Sequence, residues 1–188
     1  MKRIFLSFAA CFLAYQSIII LVNLDQLRFD SIPGNILLAW VLNMFVTGIF
    51  AFLSFAFPVE KTFPAAYFKI YNPSFLKKVY SLLGVEVFRQ FLLKTLWRGK
   101  QQRKKYFDGS REGLQNFIIQ SQQAEWGHLL PFFVLLVYTI GLLGLKIWFL
   151  AIMVLFFNVL GNLYPVILQR YHRYRIGLLK ARFQSKSS

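Results

Sequence analysis

The apolar and polar positions divide the chain into long blocks. Residues 4–24 form an almost uninterrupted apolar run preceded by Lys2 and Arg3, and residues 36–57 form a second, introduced by a Pro33-Gly34 turn and ended by Pro58. From 129 to 168 there are 40 residues with a single charge, Lys146. At about 1.5 Å per residue, a helix of about 20 residues crosses the roughly 30 Å hydrocarbon layer. The first two blocks each fit one crossing and the third fits two. Gly141, Gly144 and Lys146 mark the hairpin, which puts spans three and four at 129–145 and 147–168. The expected fold is all-α: an integral membrane helical bundle of about four transmembrane helices with added amphipathic helices, in a single membrane domain over 1–188.

Residues 59–128 are the least apolar stretch but carry a pattern of their own. Asn72-Pro73-Ser74 reads as a turn into a helix. Phe75, Val79, Leu82, Leu83, Val87, Phe88, Phe91 and Leu92 then recur at three- and four-residue steps, with Lys77, Lys78, Arg89 and Lys94 between them. This predicts a basic amphipathic helix, with Gly84 as the point for a kink. Such a helix suits the headgroup layer, and equally suits packing against the bundle. Lys100, Arg103, Lys104 and Lys105 follow, then an Asp108-Gly109 turn. The basic cluster suits anionic lipid, at about 1 kcal/mol per residue near the surface, or the phosphates of a soluble co-substrate. From Glu112 the pattern is helical again and runs into span three.

Composition agrees with this pattern. Of 188 residues 57% are hydrophobic and 15% charged, against about 25% charged in soluble domains. That excludes an ordinary soluble domain, and the hydrophobicity excludes disorder. The net charge of +15 would suggest nucleic acid in a soluble chain. Here 20 of the 22 Lys and Arg residues fall in the N-terminus, the 59–128 segment and the basic tail 169–188. With four spans these share a side, and the positive-inside rule makes that side cytoplasmic. The expectation is a multi-pass protein of the cytoplasmic membrane, both termini inside, with membrane lipids and no nucleic acid as partners. The first run exceeds the 7–15 residues usual for a signal-peptide core, so a retained span is expected. Cys11 is the single cysteine, which precludes an intramolecular disulfide. With two histidines and no CxxC or HxxxH spacing, no metal site is expected.

Polar residues inside spans need partners and normally face the bundle interior. Asn158, Asn162 and Gln169 share one helical face, Asn43, Thr47 and Ser54 repeat that spacing, and Gln16 and Asn23 lie seven apart. Interhelical hydrogen bonding, worth about 1 kcal/mol each, accounts for Gln16, Thr47 and Ser54. For Asn162 a polar pocket open to the cytoplasm is an equal reading. Ser121, Glu125 and His128 stand at i, i+4 and i+7 at the mouth of span three. Span four returns to the same side at Gln169 and Arg170, so Glu125 and His128 can meet them. A carboxylate beside an imidazole orients it as a general base. The alternative is an interfacial Glu–Arg ion pair with a hydrogen-bonded histidine.

Residues 123–128 (Gln-Ala-Glu-Trp-Gly-His) and the later Asn162, Pro165 and Gln169-Arg170-Tyr171-His172-Arg173-Tyr174-Arg175 resemble the glycosyl-4,4'-diaponeurosporenoate acyltransferase family of small bacterial membrane proteins. Its members show Ala-Glu-x-x-His and then Asn…Gln-Arg-Tyr-Asn-Arg-x-Arg after an apolar stretch. The basic segment 104–109 ending in Asp-Gly is also similar, and the resemblance covers roughly 72–180. His172 and Tyr174 stand where the family has Asn and commonly Pro, departures that bear on the substrate more than on the chemistry.

The resemblance implies transfer of a fatty acyl group to a sugar hydroxyl of a glycosylated carotenoid or similar glycolipid acceptor. Acyl-CoA is the expected donor, and no bound cofactor is expected. On this reading His128 is the base, Glu125 orients it, and Arg170 or Asn162 stabilises the oxyanion. Ser121, Gln169, Tyr171, Arg173, Arg175, Lys104 and Lys105 contact substrate, the basic ones holding donor phosphates. The His-x4-Asp pattern of glycerolipid acyltransferases is absent, since Phe133 and Gly177 stand where the Asp would be. A non-catalytic membrane scaffold, or another enzyme modifying isoprenoid lipids, is the alternative.

Overall fold

A computed structural model describes residues 1–27, 31–59, 62–95 and 111–185. Among these the secondary structure is helical, without strands: α1 (Lys2–Val22), α2 (Leu24–Leu27), α3 (Ile32–Ala56), α4 (Ala65–Phe68), α5 (Pro73–Leu82), α6 (Val85–Thr95), α7 (Arg111–Gly144), α8 (Trp148–Asn158), a π turn (Val159–Leu163) and α9 (Tyr164–Ser185). Four helical stretches are long and apolar enough to cross a membrane: Lys2–Val22, Ile32–Ala56, Gly113–Gly144 and Trp148–Leu178. The chain is therefore an all-α membrane protein. The Lys100–Lys105 basic cluster and the Asp108-Gly109 turn lie outside the described residues.

Two boundaries differ from the sequence expectation, each for a local reason, and two others match it. Pro33-Gly34 is not a turn before the second span but lies in the first turn of α3. Ser31 caps that helix, its hydroxyl accepting from the Gly34 amide at 3.3 Å, and proline costs nothing where no amide partner is needed. As expected from Glu112 onward, span three is the end of a longer helix, α7, which is continuous through polar sequence from Arg111. The hairpin after α7 turns at Lys146, with φ 61°, at the expected boundary between spans three and four. The amphipathic segment is two helices. Asn72 caps α5, accepting from the Phe75 amide at 3.1 Å. Gly84, at φ 62°, then ends the run, a backbone conformation glycine takes without the Cβ penalty.

The described residues group into two compact units. The first holds Met1–Val59 and Trp126–Pro165. Its core joins Leu42 and Val46 of α3, Leu135 and Leu142 of α7, and Leu150 and Val154 of α8. Gly127 lets α7 approach α3 closely: a Cβ there would stand 3.3 Å from Ser54 Oγ and 3.7 Å from Ala51 Cα. Small residues at such crossings are the usual means of tight packing between membrane helices. Phe5, Phe8, Phe12, Phe133, Val137 and Phe156 are exposed, as lipid-facing side chains should be.

The second unit holds Glu60–Glu125 and Val166–Ser188. Tyr80, Val85 and Leu168 form its apolar centre, flanked by Leu76, Phe88, Leu92 and Tyr171. Tyr80 packs edge-on against Tyr171, with ring centroids 5.4 Å apart. Thus α5 and α6 bury one face against α9, and they leave Phe75, Leu82, Val87 and Phe91 exposed on the other.

Candidate functional site

Two polar clusters stand out, one in each unit. In the unit of 126–165, His128 Nδ1 lies 3.3 Å from Asn162 Oδ1. The contacts around Asn162 fix its orientation step by step. The carbonyl of Phe132 can only accept, so the Asn158 group 3.0 Å from it is the amide nitrogen. Asn158 Oδ1 therefore faces Asn162 and receives its Nδ2 at 3.0 Å. Asn162 Oδ1 is then an acceptor, taking the Thr47 hydroxyl at 3.0 Å. It follows that His128 Nδ1 carries the proton and that Nε2 holds the lone pair in the neutral ring.

The backbone helps to place this cluster. Asn162 is fully buried inside the π turn, a geometry that recurs at functional positions in helices. Residue 165 is proline, so the Gly161 carbonyl has no α-helical donor. It serves as a second acceptor beside the His128 ring. Asn43 holds α8 by donating to the Val154 carbonyl at 3.3 Å. Ser54, expected to bond across helices, donates within its own helix to the Ala51 carbonyl at 2.8 Å.

In the other unit the centre is Glu125, which is fully buried. Its Oε1 accepts from the Tyr67 hydroxyl at 2.8 Å and from Arg170 Nε at 2.9 Å. Its Oε2 accepts from Arg173, and Arg173 also donates to Ser121 Oγ at 3.3 Å. Ser121 in turn donates to the Gln169 carbonyl at 3.2 Å. The Arg170 guanidinium lies over the Tyr67 ring at 4.6 Å and that of Arg173 over Phe68 at 5.1 Å, both cation–π contacts. Burial, and then the bond to Glu125, push the Tyr67 phenol above its usual range, so it stays a donor.

The geometry thus brings Ser121, Glu125, Gln169, Arg170 and Arg173 together. It gives Glu125 two guanidiniums and a phenol, and it gives His128 an amide, which is the Glu–Arg ion pair with a hydrogen-bonded histidine that stood as the alternative to pairing carboxylate with imidazole. Asn162 was a candidate oxyanion donor, but its Nδ2 is engaged by Asn158. Tyr171 donates to Glu86 Oε2 at 3.1 Å. Arg175 is exposed, its guanidinium 5.9 Å from the Tyr171 ring centre. Lys104 and Lys105 lie outside the described residues. Sequence reasoning missed Tyr67, because nothing in the spacing of a four-residue helix signals a partner 58 positions away. Among the described residues no three His, Cys, Asp or Glu side chains gather closely enough to hold a metal ion.

Compared with known proteins, residues 64–182 match the family model described as glycosyl-4,4'-diaponeurosporenoate acyltransferase. No curated protein and no solved structure matches the chain significantly.

Proposed function

The chain belongs to the glycosyl-4,4'-diaponeurosporenoate acyltransferase family, and from that premise we propose that it is a membrane acyltransferase esterifying a sugar hydroxyl of a glycosylated carotenoid or similar lipid glycoside. The acyl group comes from a thioester donor, acyl-CoA. Its basic segments face the cytoplasm, where such a donor is dissolved.

The observation that carries the proposal is the hydrogen-bond chain Phe132–Asn158–Asn162–His128, which leaves the lone pair of the neutral ring on Nε2. In the reaction, His128 Nε2 takes the proton of the sugar hydroxyl as its oxygen attacks the thioester carbonyl. The C–S bond then breaks, and the thiolate takes the proton from the imidazolium. An ester and free CoA are left, and no acyl-enzyme forms. The imidazolium keeps Asn162 Oδ1 and the Gly161 carbonyl as acceptors. Asn162 is a positioning residue in this scheme. Glu125 holds Arg170 and Arg173 in place and does not orient the base.

The test supplies membranes carrying wild type or His128→Ala with labelled acyl-CoA and a lipid extract of the native host. A labelled ester made by wild type and reduced about a hundred- to ten-thousand-fold in the variant is the expected result for a lost general base. Equal product from both would remove His128 from the mechanism. No product from either inserted protein would favour a non-catalytic membrane role.

A further inference from the structure

The unit of residues 60–125 and 166–188 contains a cavity of about 240 Å³. Lys69, Tyr71, Asn72, Tyr80, Arg170 and Arg173 supply its polar lining, and Phe68 and Phe75 are among its apolar walls. Two buried polar atoms on these residues have no partner: the Tyr80 hydroxyl and Arg173 Nε. Tyr80 is 4% exposed and Arg173 8%. Native interiors leave few such donors, because each one costs its desolvation without a compensating bond.

The charges are unbalanced in the same place. Glu125 is one negative charge against the guanidiniums of Arg170 and Arg173. Lys69, exposed and 5.4 Å from the centre of the Tyr71 ring, adds a third positive charge. After Glu125 is counted, two positive charges remain on the lining. Arg170 contacts Glu125 through Nε and keeps a side chain 39% exposed. Arginine forks and a lysine point charge are the usual recognition set for phosphate.

We infer that this cavity binds a phosphate group. The volume is below the roughly 300–1,000 Å³ of pockets that enclose a whole small molecule. It therefore takes one charged head and leaves the remainder of the ligand outside. The phosphate has two sources, the thioester donor and an anionic lipid headgroup. The first source rests on the acyl-transfer reading above; the anion site does not.

The test measures binding, not turnover. The full chain is placed in nanodiscs of phosphatidylcholine, and binding of radiolabelled CoA is followed at equilibrium. A second arm measures retention of phosphatidylglycerol from mixed nanodiscs by native mass spectrometry. Lys69→Gln and Arg170→Gln each weaken CoA binding at least tenfold, and Tyr80→Phe weakens it severalfold. All three variants leave the Glu125–Arg173 pair intact. His128→Ala binds CoA as wild type does, so a failed histidine mechanism is told apart from a failed anion site. CoA binding unchanged, with phosphatidylglycerol retention lost in the same variants, assigns the phosphate to lipid. Wild-type binding of both probes in all three cavity variants, or no binding of either probe by wild type, overturns the inference.

Discussion

Replacing Glu125 with glutamine tests how much of the fold depends on one buried charge. Glu125 is 0% exposed and Arg173 8% exposed, so glutamine would leave the Arg173 guanidinium in the interior without a counter-charge. Removing one partner of such a pair typically costs about 3–5 kcal/mol, or roughly two to four orders of magnitude in the unfolding equilibrium. Arg170 is a useful contrast. Its side chain is 39% exposed, and Arg170→Gln leaves Glu125 paired with Arg173. Solvent screening then holds the loss to about 1 kcal/mol or less. The double variant Glu125→Gln/Arg173→Met removes both buried charges and should recover most of the loss, since what is costly is the orphan charge. The assay is reversible SDS unfolding in detergent micelles, followed by helical circular dichroism. A loss below about 1 kcal/mol for Glu125→Gln, or a double variant no better than the single, would refute this account.

Three further outcomes follow from local geometry. With ¹⁵N-labelled histidine, His128 should show a protonated Nδ1 and a bare Nε2, and Asn162→Leu should abolish that preference; a wild-type ring protonated at Nε2 would break the chain of reasoning through Asn158. Gly84→Ala should cost about 1–2 kcal/mol, the penalty of a Cβ in the left-handed region. Nothing lies within 4 Å to clash with it, so Gly84→Asn should cost less in the same unfolding assay. The hydrogen bond from Arg89 holds the Glu86 carboxyl down at about 2, from an ordinary 4.5. The folded protein therefore holds fewer protons than the unfolded chain in that interval. The contribution of Glu86 is complete above 4.5 and is lost as pH falls through about 2. A carbon-13 titration of its carboxyl with a midpoint near 4.5 would contradict the pairing.

Much of the candidate site is legible in the sequence. Glu125 and Arg170 were expected to meet because both stand at the polar ends of long apolar runs, and those ends must be level if both runs cross one bilayer. Asn158 and Asn162 were expected to share a face, and they hydrogen-bond directly. The Pro33-Gly34 reading failed because the same dipeptide serves a turn and a helix start, and the Ser31 cap decides between them. The amphipathic segment was expected to kink at Gly84, and it divides into two helices there, because apolar periodicity does not register the sign of φ.

Hydrophobic length is a one-dimensional quantity, since a run of apolar residues must leave water whatever its neighbours do. The all-α class, the membrane-crossing helices and the burial of Asn43, Asn158 and Asn162 were therefore determined by the sequence alone. The choice of partner for each polar group is three-dimensional. Glu125 could have served an imidazole three residues away or guanidiniums some 45 to 48 residues away, and its Oε1 and Oε2 contacts to Arg170 and Arg173 exist only once α7 and α9 are packed. An asparagine in sequence is at once a donor and an acceptor. Which end of Asn162 faces His128 was decided by the Phe132 carbonyl, a backbone group that accepts and never donates.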